Sequence, residues 1–252
     1  MTSAAPKPVI WQADYSQLEL RIFASVTKTR WMIETFADPA GDIHAATAMR
    51  VLGVTATQAK QPDVRTRAKV LNFGMAYGAQ GETVEEQIIV FALRNPELPI
   101  KIPSLQECRD MVKAYWNAAP EAEAWREFYL DVVRNQGFSE TLYGRRRYLP
   151  HINHPSADLR SHSERQAINH VIQGTAGDII KMAALMLWRE APEFEADIRS
   201  QIHDELMGLC NNPDKAALWI EKVQQYMVLD QPLMPVPLKI EPKLIKNWKE
   251  AK

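Results

Sequence analysis

Strand-forming runs are scarce in this chain and sit near its two ends, and that placement limits the fold more than any other feature. Val9–Ala13 is a short apolar run with β-branched residues. Ile198–Ile202 and Leu206–Cys210 flank a polar step at Asp204–Glu205, and Val236–Ile240 offers a fourth strand. Between these runs the pattern has helical period. Ser16 with Glu19 reads as a capping box that opens an amphipathic stretch to about Val26. Helical spacing continues through Val64–Ala76, Thr83–Leu93, Ser104–Ala118 and Glu121–Asn135. Ser156 opens a long stretch to Glu190, which Gly174 and Gly177 should break or bend, since a glycine costs a helix interior about 1 kcal/mol. Pro96, Pro99 and Pro103 mark a loop, and Gly137 and Gly144 bracket a turn ahead of Arg145–Arg147. The expected fold class is therefore α+β, a small antiparallel sheet drawn from both ends around a mostly helical excursion.

Composition narrows the function classes. With 46% hydrophobic and 24% charged residues, 252 residues can bury the core of one compact unit or two small ones. Uncharged apolar runs such as Met182–Trp188 fall far short of the roughly 20 residues a membrane span needs. Met1–Pro8 has no apolar core of the kind a secretory signal carries. Lys plus Arg number 30 and Asp plus Glu 31, so the net charge is −1, which excludes a globally basic nucleic-acid coat and leaves local basic patches open. Two cysteines cannot make a disulfide framework or a CxxC metal site. The expectation is a reduced, cytoplasmic protein with no membrane partner. No phosphate-loop, dinucleotide or zinc-protease motif occurs, and the six histidines lack zinc spacing. Trp116, Trp125, Trp188 and Trp219 lie in helical patterns that suit a core.

Three sets of residues could carry chemistry. Asp14 follows the first strand run, and Asp204 sits at the polar step between two later ones. Brought together on a sheet, two carboxylates would suit a hard cation such as Mg²⁺. Acids at strand ends are also ordinary solvated turn residues, and spacing alone does not choose. Arg65, Lys69, Phe73 and Tyr77 step by four, so a helix would carry two cations and then two rings along one face. A nucleoside triphosphate has that same order of properties, but composition alone favours a solvated basic end with a core-packed aromatic end. Arg165, Asn169 and Gln173 again step by four, with donors of the kind that meet phosphates and base edges. A polar solvent face would look the same. The run Gly144–Arg147 is a basic cluster, either a backbone grip or a charged loop.

Taken in order, these segments resemble family A DNA polymerases, the DNA polymerase I-like class. Asp14-Tyr15-Ser16-Gln17-Leu18-Glu19-Leu20-Arg21 is similar to the family's first palm motif, and Arg65–Gly78 to its fingers-helix motif. Gln201-Ile202-His203-Asp204-Glu205 resembles its third motif, and Thr141–Pro150 and Glu164–Lys181 two further blocks. The resemblance runs from about Val9 to the end. It implies a polymerase right-hand fold, with residues 1–30 and 157–252 as the small antiparallel palm and 31–156 as helical fingers. It implies a template-directed DNA polymerase core that adds deoxynucleoside triphosphates to a primer 3′-end with two Mg²⁺ ions. Asp14 and Asp204 would be catalytic metal ligands, helped by the Tyr15 carbonyl, with Glu205 as an accessory acid. Arg65, Lys69 and His44 would hold the triphosphate, and Lys69 would also protonate pyrophosphate. Phe73 would lie against the incoming sugar and base, Tyr77 near the templating base, and Gln17 and Glu19 would join the nucleotide site. Glu19 would crowd a ribose 2′-hydroxyl. Arg165, Asn169, Gln173 and His203 would touch the primer–template.

The resemblance also has departures. The sequence begins shortly before Asp14, so the expectation is a core lacking the thumb and the exonuclease. That leaves open a catalytically incomplete fragment or subunit served by a separate thumb-bearing chain. A non-catalytic DNA-binding module is the rival from another class, though such a module need not keep the metal and triphosphate residues. Val171 stands where relatives often have proline, and Glu82–Pro103 looks locally different.

Overall fold

The computed structural model describes residues 7–228 and 233–250. The chain divides into two compact units. One comprises Met1–Leu18, Thr175–Leu233 and Pro237–Lys252, the other Glu19–Gly174 and Met234–Val236.

In the first unit, strands β1 (Val9–Tyr15), β4 (Ser200–Ile202), β5 (Glu205–Cys210) and β6 (Ile240–Ile245) form an antiparallel sheet. Their order is β4-β5-β1-β6. β1 is central and almost wholly buried, as its apolar run requires. Trp11 is fully buried and meets Trp219 of α10 (Ala216–Met227) edge-on, with ring centroids 5.5 Å apart. Such a pair contributes about 0.5–1.5 kcal/mol beyond burial. The Trp11 indole Nε1 donates to the Asp197 carbonyl at 2.9 Å. That carbonyl approaches so closely because residue 208 is glycine, where a Cβ would lie 1.9 Å from it. Helix α9 (Thr175–Glu190) adds Ile179, Ile180, Ala183 and Leu187 to the buried set.

The strands depart from expectation in two places. The fourth strand is Ile240–Ile245 rather than Val236–Ile240. Pro235 and Pro237 have no N–H to give a ladder, so pairing starts beyond them, and Pro242 is tolerated because β6 lies at the sheet edge. The run from Ile198 joins the ladder only at Ser200, preceded by a single bridge from Ala196 to Cys210.

The second unit is helical. It holds α1 (Leu18–Thr27, from Glu19 on), α2 (Arg30–Ala37), α3 (Ile43–Val51), α4 (Pro62–Ala76), α5 (Gly81–Arg94), α6 (Leu105–Ala118), α7 (Pro120–Gln136) and α8 (Ala157–Asn169). Helix α1 begins at Leu18, later than a Ser16 cap would set it, because Gln17 takes a left-handed φ of 59°. The complete capping box is instead Ser104 with Glu107, at the head of α6. Pro62 and Pro120 open α4 and α7 with their fixed φ, and Gly137 closes α7 with a φ of 78°. A short hairpin of β2 (Phe138–Glu140) and β3 (Arg146–Tyr148) then fills what the sequence marked only as a turn region. After α8 comes one π-helical turn, His170–Gly174, so the α-helix is interrupted up to one of the expected glycines, while Gly177 lies inside α9. Trp188, expected in a core, is 67% exposed on α9.

Candidate active site

At the end of β1 in the first unit, Asp14 is register partner of Glu205 on β5 and of Glu241 on β6. Partners across antiparallel strands point to the same face, so three acids form a row across the sheet. Asp204 occupies the β4–β5 turn, and its carbonyl accepts from the Tyr15 N–H at 3.3 Å, which ties the acid's backbone to the end of β1. The sequence missed Glu241, because only the pairing of β6 reveals it. His203 stands exposed at the hairpin tip with φ 54°, and Gln17 follows β1 with φ 59° and its Oε1 buried without a protein partner. Left-handed backbone is uncommon for side chains of this size.

Among the described residues no three His, Cys, Asp or Glu side chains make a ready cage for a metal ion. Mg²⁺ needs none. It is commonly held by one or two carboxylates plus substrate phosphates. The hard oxygens at the end of β1 fit that mode.

In the second unit, α4 carries Arg65, Lys69 and Phe73, and Tyr77 follows at its C-terminal cap. Arg65 Nη1 donates to the Asp42 carboxylate at 2.5 Å. Asp42 also caps α3, accepting from the N–H groups of His44 and Ala45. Partial burial would raise the Asp42 carboxyl, but the bonds from Arg65, Ala45 and His44 outweigh it and hold the group below the usual range. Lys69 is exposed. His44 is 4% exposed, with its ring centroid 6.1 Å from that of Phe73.

Burial, and after it the Arg65 cation, push the His44 imidazole down to about 4 against the pull of Asp42, so the ring is neutral at physiological pH. Its Nδ1 lies 3.0 Å from the Asn72 Nδ2 donor. The ring proton therefore belongs on Nε2, a donor that is buried without a protein partner.

Between about 4 and the model-peptide value of 6.5, the unfolded chain binds a proton at this position and the folded chain does not. The stability this histidine supports is thus present above 6.5 and is lost as pH falls through that window, by about 3 kcal/mol. Chemical denaturation across pH 4–7 should show a shallower loss in His44→Gln than in the parent. Parallel curves would contradict it.

The other residues stepped by four also find places. Arg165 and Asn169 lie on α8, but the next step, Gln173, falls in the π turn. Arg165 and Asn169 line a cavity of about 370 Å³ together with Tyr77, Gly78 and Thr83. Gln173 Nε2 donates to the Tyr77 hydroxyl at 3.2 Å, and that hydroxyl donates to the Glu19 carboxylate. Glu19, Tyr77 and Gln173 are thus joined, as are His44, Asn72 and Phe73, and Arg65 with Asp42. Asn72 and Asp42 had no periodic signal to mark them, and only tertiary packing shows their part.

The arrangement resembles known proteins along its whole length. The sequence pattern that defines "DNA polymerase family A" matches residues 1–250. DNA polymerase I of Thermus aquaticus is 31% identical over 239 residues, covering 95% of this chain and 27% of the relative. DNA polymerase I of Streptococcus pneumoniae serotype 4 is 33% identical over 246 residues, covering 97% and 26%. The chain therefore spans about a quarter of the length of the curated relatives it matches. A solved structure of the POL domain of Pol1 from M. smegmatis, in complex with DNA primer–template and dNTP, matches with a TM-score of 0.83 and 28% identity. It covers 96% of this chain and 40% of that one.

Proposed function

Because the chain belongs to DNA polymerase family A, we propose that it is the palm-and-fingers core of a template-directed DNA polymerase, adding deoxynucleoside triphosphates to a primer 3′-end. The sheet of the first unit would serve as palm and α2–α7 as fingers. The observation that carries the reading is the β1–β5 register, which sets Asp14 beside Glu205 and next to the turn that holds Asp204.

Asp14 and Asp204, with the Tyr15 carbonyl, would hold two Mg²⁺ ions, and Glu205 would stand by as accessory acid. When bound, those ions supply activation of the primer hydroxyl and neutralisation of the leaving pyrophosphate. Arg65 and Lys69 would bind the triphosphate by charge, Arg65 giving up Asp42 to do so. The Nε2–H of His44 is a neutral donor suited to a phosphate oxygen. Lys69 would protonate the departing pyrophosphate. Phe73 would pack on the sugar and base, and Tyr77 would lie near the templating base. Gln17 would join the nucleotide site, while Arg165, Asn169, Gln173 and His203 would contact primer and template.

Purified chain, Mg²⁺ and four deoxynucleoside triphosphates should extend a primer with the sequence the template dictates. A second arm supplies a thumb-bearing polymerase segment in trans and should increase extension. No templated synthesis in either arm would overturn the reading.

Glu19 gives a sharper prediction. Its carboxylate is held by Tyr77 and would crowd a 2′-hydroxyl. Glu19→Ala should raise ribonucleotide use relative to deoxynucleotide by roughly tenfold or more, the scale of steric discrimination in a snug pocket. Single-nucleotide kinetics with both sugars check it, and an unchanged ratio would leave Glu19 only as a partner for Tyr77.

A further inference from the structure

The arginines of the β2–β3 hairpin do different things. Arg146 stacks on the Phe138 ring, 4.6 Å from its centroid, and lies 3.5 Å from the Glu140 carboxylate. Arg145 turns its guanidinium onto the π turn, with Nη2 donating to the Gly174 carbonyl at 2.8 Å. In the other direction the His170 ring Nε2 meets the Arg145 carbonyl at 3.1 Å. Both bonds join the hairpin tip to the π turn. Gly174 has no Cβ to keep them apart, and one built there would lie 2.6 Å from Thr141 Cγ2 and 3.2 Å from Arg145 Nη2. The residue before Gly174 is Gln173, which donates to Tyr77, which in turn donates to Glu19. Arg145, Gly174, Gln173, Tyr77 and Glu19 make one continuous chain within the second unit.

We infer that Arg145 is a positioning residue for sugar selection. By fixing the Gly174 carbonyl it fixes Gln173, and through the Tyr77 hydroxyl it fixes the Glu19 carboxylate. A π turn interrupts the i→i+4 pairing of the helix and is a frequent feature of functional sites, and here the Gly174 carbonyl receives a side-chain donor from outside the turn. A guanidinium supplies a charge-assisted bond, roughly twice as strong as a neutral one. The effect on sugar choice rests on the polymerase reading above, while the bonded chain stands apart from it.

The test uses Arg145→Ala and Arg145→Lys in the 252-residue chain. The ratio of kcat/KM for deoxy- over ribonucleotide should fall about tenfold in Arg145→Ala, as expected for a lost bond to a charged donor, and recover in part in Arg145→Lys. In a Glu19→Ala background, Arg145→Ala should change the ratio no further, because both act through one carboxylate. Additive effects overturn the inference. So does an unchanged ratio with weaker primer–template binding and a salt slope shallower by about one, which marks Arg145 as a phosphate contact. Hydrogen exchange over residues 168–174 needs no turnover. It should speed up in Arg145→Ala and stay unchanged in α6, and equal rates at 168–174 overturn the positioning role. A parent chain that adds no nucleotide either alone or with the thumb-bearing segment overturns the polymerase reading instead, and exchange at 168–174 and around Tyr77 then decides the inference by itself.

Discussion

Asp14→Ala and Asp204→Ala are each expected to abolish nucleotide addition while the protein stays folded. Metal ions stabilise transition-state charge in phosphoryl transfer by several kcal/mol, and 1.36 kcal/mol is tenfold in rate. Removing either proposed ligand should therefore cost about 10³-fold or more in single-turnover addition with Mg²⁺. The fold should survive because of where the acids lie. Asp14 is flanked in register by Glu205 and Glu241, and like charges directly opposite one another destabilise a sheet. Asp14 lies near the end of β1 rather than among its fully buried residues, so the melting temperature of Asp14→Ala should stay close to the parent's. Extension at near the parent rate by either variant would sink the two-metal assignment. A collapsed melting temperature would instead show these acids to be structural.

Lys69→Ala should lower deoxynucleotide use by at least about 10²-fold, the usual worth of a positioned acid, and weaken primer–template binding far less. Lys69 is exposed on α4, one helical turn from Arg65 on one side and Phe73 on the other. A cation so placed gives the fold little, and its loss should leave the unfolding free energy within about 0.5 kcal/mol of the parent's. Titrating nucleotide in single-turnover addition, alongside DNA binding by anisotropy, separates the two effects. Equal losses would move Lys69 from the nucleotide to the duplex.

Elements whose signal is local were legible in the sequence. β1 reads from its apolar run, and α4 from helical spacing, so Asp14, Arg65, Lys69, Phe73 and Tyr77 could be assigned to elements before any packing was known. Spacing did not choose between a nucleotide face and a solvated one, and the family resemblance supplied that choice. Other elements follow from contacts distant in sequence. The hairpin Phe138–Tyr148 pairs three residues with three, too few for a period of two to stand out. Helices α2, α3 and α10 were not distinguished from their surroundings. The step from Asn169 to Gln173 fitted an α-helix, yet the chain there widens into a π turn, which no spacing rule detects. Glu241 had no motif at all and became visible through strand pairing.

The left-handed backbone at Gln17 and His203 bears on how such a protein can be made more robust. Glycine takes that conformation without steric cost, so a search guided by thermal tolerance alone would tend to replace both side chains. Each residue lies beside one of the proposed metal-binding stretches, so what relaxes the chain there would remove a group from the catalytic neighbourhood. Heat resistance in this protein should therefore be sought in the helices and the Trp11–Trp219 core, with positions 17 and 203 held fixed during selection.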